Sequence, residues 1–324
     1  VVPPDVAEGP FALTRRPPPP EWGVVIDGRA VEALADRWRA STFDTPRFDY
    51  PGLPAWRGAG WVDFCGAAVA VCACLWAPAG EATWHAEIEG RRLDDAPGLF
   101  ACFTRAPWAT EHGLALSKFT SWGEADARAF FSGRGTLQLV PERGRRLADL
   151  AGVIADRWGG SFVSLLEEAR FDGPAAVELV IATVPGYRDR VTTEHGLLCF
   201  DKLAHLALAL MAEHSPHPIA NLAAFPVYPD YMLPRVLRHH GVLVYAGDLA
   251  AAVDSRSLIP EHSPWELAIR WATVFAGEAL RRALNERGNP VTTPQLDYRL
   301  WSSAVLGPEA AAMGEHHRTV TLAY

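Results

Sequence analysis

The sequence predicts a mainly α-helical protein with a few short β-strands. Three observations carry that expectation. Apolar residues recur at helical spacing in separate segments, as Leu147, Leu150, Ala151, Ile154 and Trp158 do. Helix punctuation bounds such segments: Gly159-Gly160 follows this one, and Ser263-Pro264 with Glu266 opens another. Strict alternation, the mark of a half-buried strand, is confined to short stretches such as Trp84 to Arg91.

Taken in order, the chain opens with residues 1–28, read as an extended arm because Pro17 to Pro20 form a stiff run of prolines. Residues 29–324 are expected to form a single compact domain, with 29–132 and 133–324 as its subdomains. Val31, Leu34, Ala35 and Trp38 share one helical face. Ser41 to Gly60, rich in Pro, Gly and Asp, reads as loop. Trp61 to Trp76 is apolar and small-residued, and suits either a buried helix or a pair of strands. Beyond Pro97 helices dominate: one over Leu147–Trp158, one after Ser161, and one near 174–184. The run from Cys199 to Glu213 reads as an apolar helix with Asp201, Lys202 and His205 near its start. Asp201 and His205, four apart, suit an intrahelical pair.

The stretch FPVYPDYMLPRVLRHHGVLVY, from Phe225 to Tyr245, cannot be regular helix at its start. Pro226 and Pro229 remove donors and restrict their predecessors. Pro234 suits the first position of a helix running to His240, with Gly241 as a left-handed stop. Asp230 therefore sits in an irregular loop before a helix. It is suited either to presenting a carboxylate to a ligand or to satisfying loop amides. The helix opened by Ser263 places Leu267, Trp271, Val274 and Phe275 on one stripe, and Glu266 with Arg270 on another face. Capping alone accounts for Glu266. A last helix is expected around Leu296 to Trp301, followed by a tail, HHRTVTLAY, whose last residues alternate like a strand.

Composition narrows the function. The chain has 324 residues, 49% of them apolar, and a net charge of -8, which disfavours binding to duplex nucleic acid. No run approaches the roughly 20 apolar residues of a membrane span. The N-terminal sequence has no apolar region of the secretory type, and five cysteines in apolar context read as reduced thiols, so a cytoplasmic location is expected. Cys72 and Cys74 lack a second pair, and the neighbours His239-His240 and His316-His317 should point their rings apart, so no metal site is expected. No phosphate-binding or dinucleotide-binding glycine motif occurs, and no cofactor is expected.

Several segments read together: FDKLAHLALALMAE, YPDYMLPRVLRHHGVLVY, SPWELAIR, LDYRLW and HHRTVTLAY, with GTLQLVPERGRRLADLAGVIADRWGGS and Tyr187-Arg188-Asp189 upstream. In this order and spacing they resemble the queuosine salvage family of queuosine 5'-phosphate N-glycosylase/hydrolases. Asp230, Tyr231, Leu233 and Pro234 match that family's central pattern, as do Gly241, Leu243 and Tyr245 after it. Lys202 and Ala204 match a second pattern, and Ser263, Glu266, Ile269 and Arg270 a third. Met232, Arg235 and Ala268 depart from the patterns, and the stretch 64–76 keeps only Trp76 of an aromatic run.

The resemblance implies a compact helical fold similar to the helical DNA glycosylases, and hydrolysis of the N-glycosidic bond of a small-molecule nucleotide. It implies Asp230 as the catalytic carboxylate beside the anomeric carbon. Lys202, Arg270 and His317 become candidates for the phosphate or sugar. Tyr231, Trp76 and Phe200 are candidates for the base-stacking face, and Asp189 or Asp201 for accepting from the base. Aromatic residues at helical spacing are more often core. The departures at Met232, Arg235, Ala268 and the 64–76 stretch keep open an alternative, an N-ribosyl hydrolase for another modified nucleotide or nucleoside, or a non-catalytic relative that binds one.

Overall fold

The computed structural model of the protein describes residues 12–44, 53–88 and 90–324. Twelve α-helices are present among them: α1 (Gly28–Trp38), α2 (Ala59–Ala70), α3 (Asp95–Thr104), α4 (Glu124–Phe130), α5 (Val140–Trp158), α6 (Phe162–Glu168), α7 (Gly173–Thr183), α8 (Lys202–His214), α9 (Met232–His239), α10 (Gly247–Asp254), α11 (Pro264–Glu286) and α12 (Thr293–Val305). The strands are short: β1 (Val24–Ile26), β2 (His85–Ile88), β3 (Arg91–Asp94), β4 (Ala109–Thr110), β5 (Gly113–Leu114), β6 (Arg190–Thr193), β7 (Gly196–Cys199) and β8 (Leu243–Tyr245). They form four antiparallel pairs, β1 with β8 and the hairpins β2–β3, β4–β5 and β6–β7. The expected mainly α class is the observed one.

The described residues fall into two units that interleave along the sequence. The first takes 12–44, 189–202 and 223–320, and the second takes the remainder.

The first unit is built around α11. Ser263 caps it by accepting the Glu266 amide, and Pro264 occupies the first turn, where its missing N–H costs nothing. Leu267, Ile269, Trp271, Val274 and Leu280 bury its sides, and α1 packs along it through Val31, Leu34, Ala35 and Trp38. Asp27 caps α1, its carboxylate accepting the amides of Arg29 and Ala30. The N-terminal residues contribute to this core. Leu13 and Trp22 are buried, the Trp271 indole donates to the Arg16 carbonyl at 2.9 Å, and β1 pairs Val24 with Tyr245. On another side α12 packs on α9.

The second unit has its own core. The apolar segment after Trp61 resolves as helix, α2, rather than strands. Its small residues allow close packing: a Cβ on Gly66 would lie 2.4 Å from the Phe162 ring. Arg143, fully buried on α5, donates to the carbonyls of Val71, Ala73, Cys74 and Gln138, which fixes the segment following α2. None of the five buried cysteines is in a disulfide.

Several boundaries differ from the sequence expectation. The apolar helix begins at Lys202, not Cys199, because β7 runs to Cys199 and Asp201 adopts a left-handed backbone with φ 44°. The Asp201 carboxylate is then taken by Arg190 and the Asp189 amide, not by an intrahelical partner. The tail is not a strand: its one β-bridge among the described residues pairs Leu258 with Arg318 in parallel. The last helix is longer than expected, since Thr292, two residues before Pro294 and four before Leu296, caps it in a capping box with Gln295. Part of the expected 41–60 loop lies outside the described residues, and α2 begins within it at Ala59.

Candidate active site

The loop from Phe225 to Tyr231 is held from several directions within the first unit. Its prolines leave few amides to satisfy, and two of its backbone groups are taken by neighbouring helices. The Tyr228 amide donates to Asp297 Oδ2 on α12 at 2.7 Å. The Pro229 carbonyl accepts from Arg270 Nε on α11 at 3.3 Å. Val227 rests on Gly277 of α11, where a Cβ would come within 2.5 Å of its methyl groups. Glycine is what allows the loop this close to the helix.

Asp230 ends the loop. Its Oδ1 accepts the Met232 amide at 2.8 Å and the Leu233 amide at 2.9 Å, so the carboxylate caps α9. That contact starts the helix two residues earlier than Pro234. Pro234 becomes the third helical residue, still within the turn whose amides need no intrahelical partner. Gly241, φ 74°, follows the C-terminal end as expected. Among the described residues, Asp230 Oδ2 makes no side-chain hydrogen bond with another residue. Burial pushes the Asp230 carboxyl above the ordinary carboxylate range, while the Lys202 charge and the amides pull against it.

Lys202 is the first residue of α8 and is 7% exposed. Its ammonium makes no hydrogen bond among the described residues, yet its charge acts on both Asp230 and Asp297. A buried lysine without a hydrogen-bonding partner is uncommon, because desolvating an ammonium is costly.

Arg270 lies beneath the loop, fully buried. It binds both oxygens of Asp189, reaches Glu266 Oε1 at 3.3 Å, and lies over the Phe200 ring at 4.0 Å. Asp189 is in turn fixed through its own backbone, since its amide donates to Asp201 Oδ1 at 3.1 Å and its carbonyl accepts from Phe200. Arg190 Nε closes on Asp201 Oδ2 at 2.6 Å. Four expected substrate contacts, Asp189, Asp201, Arg270 and Phe200, are thus assembled against one another as a frame under the Asp230 loop. Glu266 does more than cap: it also accepts the His262 amide and pairs with Arg270 from a fully buried position.

Tyr231 and His317 meet, with ring centroids 5.1 Å apart, and the Tyr231 hydroxyl donates to the Thr319 carbonyl at 2.6 Å. Burial holds His317 well below the usual imidazole range, so its ring is neutral at pH 7. Trp76 belongs to the second unit, where its carbonyl accepts from Gln138.

Sequence reasoning does not single out Asp297. The signal is there: with Thr293, Leu296, Leu300 and Ala304 it completes the buried stripe of α12, where a carboxylate needs a reason. Three of the departures from the family patterns have structural roles. Met232 packs on the core, Ala268 is buried within α11, and Arg235 donates to the carbonyls of Ala310, Met313 and Gly314.

One expectation about ring direction is corrected. His239 and His240 do not diverge; with Glu309 they bring ligand atoms within 4.8 Å of one another. The helix ends between them, so helical spacing no longer sets their rings apart. His240 Nδ1 already lies 3.1 Å from Arg37 Nη1.

The profile of the family described as "Queuosine salvage protein" matches residues 62–324. The chain belongs to the queuosine salvage protein family. All nine expected site residues lie within the matched span. A Sphaerobacter thermophilus protein named queuosine 5'-phosphate N-glycosylase/hydrolase is 31% identical over 332 residues, covering 98% of each chain. Relatives of the same name from Mus musculus and Bos taurus are 24% and 26% identical, covering 58% and 52% of this chain and 59% and 53% of their own. No described helix is long and apolar enough to cross a membrane.

Proposed function

We propose that this protein hydrolyses the N-glycosidic bond of queuosine 5'-phosphate, releasing queuine and ribose 5-phosphate. The observation that carries the reading is the state of Asp230. It is a desolvated carboxylate with one oxygen fixed by two amides and the other left for a ligand, under the influence of the Lys202 charge. Family membership and the name shared by the relatives supply the substrate.

Cleavage of a ribosyl bond passes through an oxocarbenium-like state, with positive charge on the sugar. A fixed carboxylate beside the anomeric carbon stabilises that charge, and stabilises it most where water is excluded. Asp230 Oδ2 is the atom available for this work, either on the sugar directly or on the attacking water. A 7-deazapurine has no N7 lone pair to protonate, so departure of the base relies more heavily on the sugar side. Lys202 supplies the positive charge that meets a ribose or phosphate oxygen. Tyr231, with His317 against it, is the nearest aromatic surface to the catalytic carboxylate in sequence. Asp189, Asp201, Arg270 and Phe200 act as support for the loop rather than through free donors or acceptors.

The alternative of another modified nucleotide drew on Met232, Arg235, Ala268 and the altered aromatic stretch at 64–76. Packing and turn contacts give the first three structural roles, so of these it is the aromatic stretch that still speaks for it. A panel of N-ribosides tests the reading, with and without a 5'-phosphate and followed by chromatography of the released base. Queuosine 5'-phosphate is expected to be the preferred substrate. Faster release of guanine from GMP than of queuine would overturn the assignment.

A further inference from the structure

Asp297 occupies a place that packing alone does not explain. It is 9% exposed, on the buried stripe of α12, and its Oδ2 accepts the amide of Tyr228. Tyr228 stands two residues before Asp230, between Pro226 and Pro229. Those prolines have no amide to give, so the Tyr228 N–H is a scarce handle by which the rest of the protein can hold the loop. Asp297 is electrostatically coupled to Asp230 and Lys202, and its Oδ1 makes no hydrogen bond among the described residues.

We propose that Asp297 is a positioning residue for Asp230: it grips the Tyr228 amide and so fixes the carboxylate that faces the substrate. This rests on the function proposed above and assigns the site a second carboxyl group with a different duty. The charges around it define the state in which it works. Arg270 is engaged with Asp189, Glu266 and the Pro229 carbonyl, and Arg190 with Asp201. Among the described residues, Lys202 is the cation whose charge acts on both Asp230 and Asp297. Two buried carboxylates against one ammonium leave an excess negative charge in a desolvated setting, which favours keeping one proton on the pair. Burial pushes both carboxyls up, against the Lys202 charge and the amides each accepts, and Asp297 stands well above its ordinary value. The grip on Tyr228 needs only a carbonyl oxygen, so Asp297 can hold it as the protonated member of the pair. A pair that interacts this way titrates as a unit.

The test compares Asp297→Asn, which keeps an uncharged acceptor of the same shape, with Asp297→Leu, which keeps bulk and loses the acceptor. With queuosine 5'-phosphate, the Asn variant is expected to retain kcat within about threefold. The Leu variant should lose about 100-fold in kcat with a smaller change in KM, the scale of effect of a misplaced catalytic group. Equal losses in both variants, or no loss in Leu, would overturn the proposal.

A second measurement does not depend on turnover. Hydrogen exchange at the Tyr228 amide should be as protected in the Asn variant as in the wild type and unprotected in the Leu variant. The Asp230 carboxyl, followed by carbon NMR, should titrate at nearly the same pH in the Asn variant, within about half a pH unit, as expected if its neighbour is already neutral. A clear fall would show that Asp297 is ionised and contradict the proposal. If the wild type cleaves no riboside, the proposed function fails, and the exchange and titration results still decide the role of Asp297.

Discussion

Under the proposed function Asp230 combines two duties that its sequence context left as alternatives. One oxygen caps α9, and the other, which makes no side-chain hydrogen bond with another described residue, is proposed to face the ligand. The capping contact is what makes the carboxylate rigid, and rigidity is what lets it meet a developing charge without reorganisation. Its raised pKa sets the pH dependence. With Asp230 as the proposed catalytic carboxylate, kcat should rise with pH through its pKa, with the acid limb above the ordinary carboxylate range. An acid limb at or below about pH 4, the range of an unperturbed Asp, would show that burial does not tune it. Lys202 is expected to act mainly in binding. Lys202→Met should raise KM by about tenfold or more, the scale of a lost charge-assisted hydrogen bond, with a smaller effect on kcat. Initial-rate kinetics decide this, and an unchanged KM would exclude Lys202 from contact with the ribose phosphate.

The elements that carry these residues depend on close approaches. Gly277→Ala would add a methyl group 2.5 Å from Val227, pushing on the loop that ends at Asp230. Alanine favours the helix by about 1 kcal/mol, while a clash in a packed core costs about 1–3 kcal/mol. Thermal stability should therefore change little while kcat falls by about tenfold or more, and adding Val227→Ala should restore part of it. A large stability loss with normal kcat in the remaining folded enzyme would contradict this account. In the second unit, Asp63 on α2 accepts the Phe162 amide and the Ser161 hydroxyl, holding the start of α6. Burial raises its carboxyl from an ordinary 3.8 to about 6. The folded state then binds the proton more tightly than the unfolded chain between those values. Its contribution is full below about pH 4 and is lost as pH rises through about 6. The displacement corresponds to about 3 kcal/mol. Urea unfolding across this range should show a shallower decline in Asp63→Asn than in the wild type; identical slopes would refute it. These elements also show what a sequence discloses. The stripe of α5 and the start of α11 are readable because periodicity and capping residues are local. The starts of α8 and α9 escape such a reading because a left-handed Asp201 and an Asp230 cap decide them, and neither leaves a trace in apolar spacing.

At the scale of the molecule, a chain of net charge -8 gathers its candidate catalytic carboxylate and lysine in one of two units, whose segments are dispersed along the sequence. Asp230 and Lys202 are legible through the patterns they match. The ion pair between Arg270 and Asp189 spans 81 positions, and no local pattern records such a pairing. Asp297 is half legible, as a carboxylate on an apolar stripe whose partner cannot be seen from the sequence. The central claim is that Asp230 performs N-glycosidic hydrolysis. Its most direct test is single-turnover release of queuine from queuosine 5'-phosphate by the wild type and Asp230→Asn, with binding of the nucleotide measured in parallel. The Asn variant is expected to bind the nucleotide with similar affinity and to release the base about 1,000-fold more slowly. Release at the wild-type rate by a folded, nucleotide-binding Asn variant would contradict the claim.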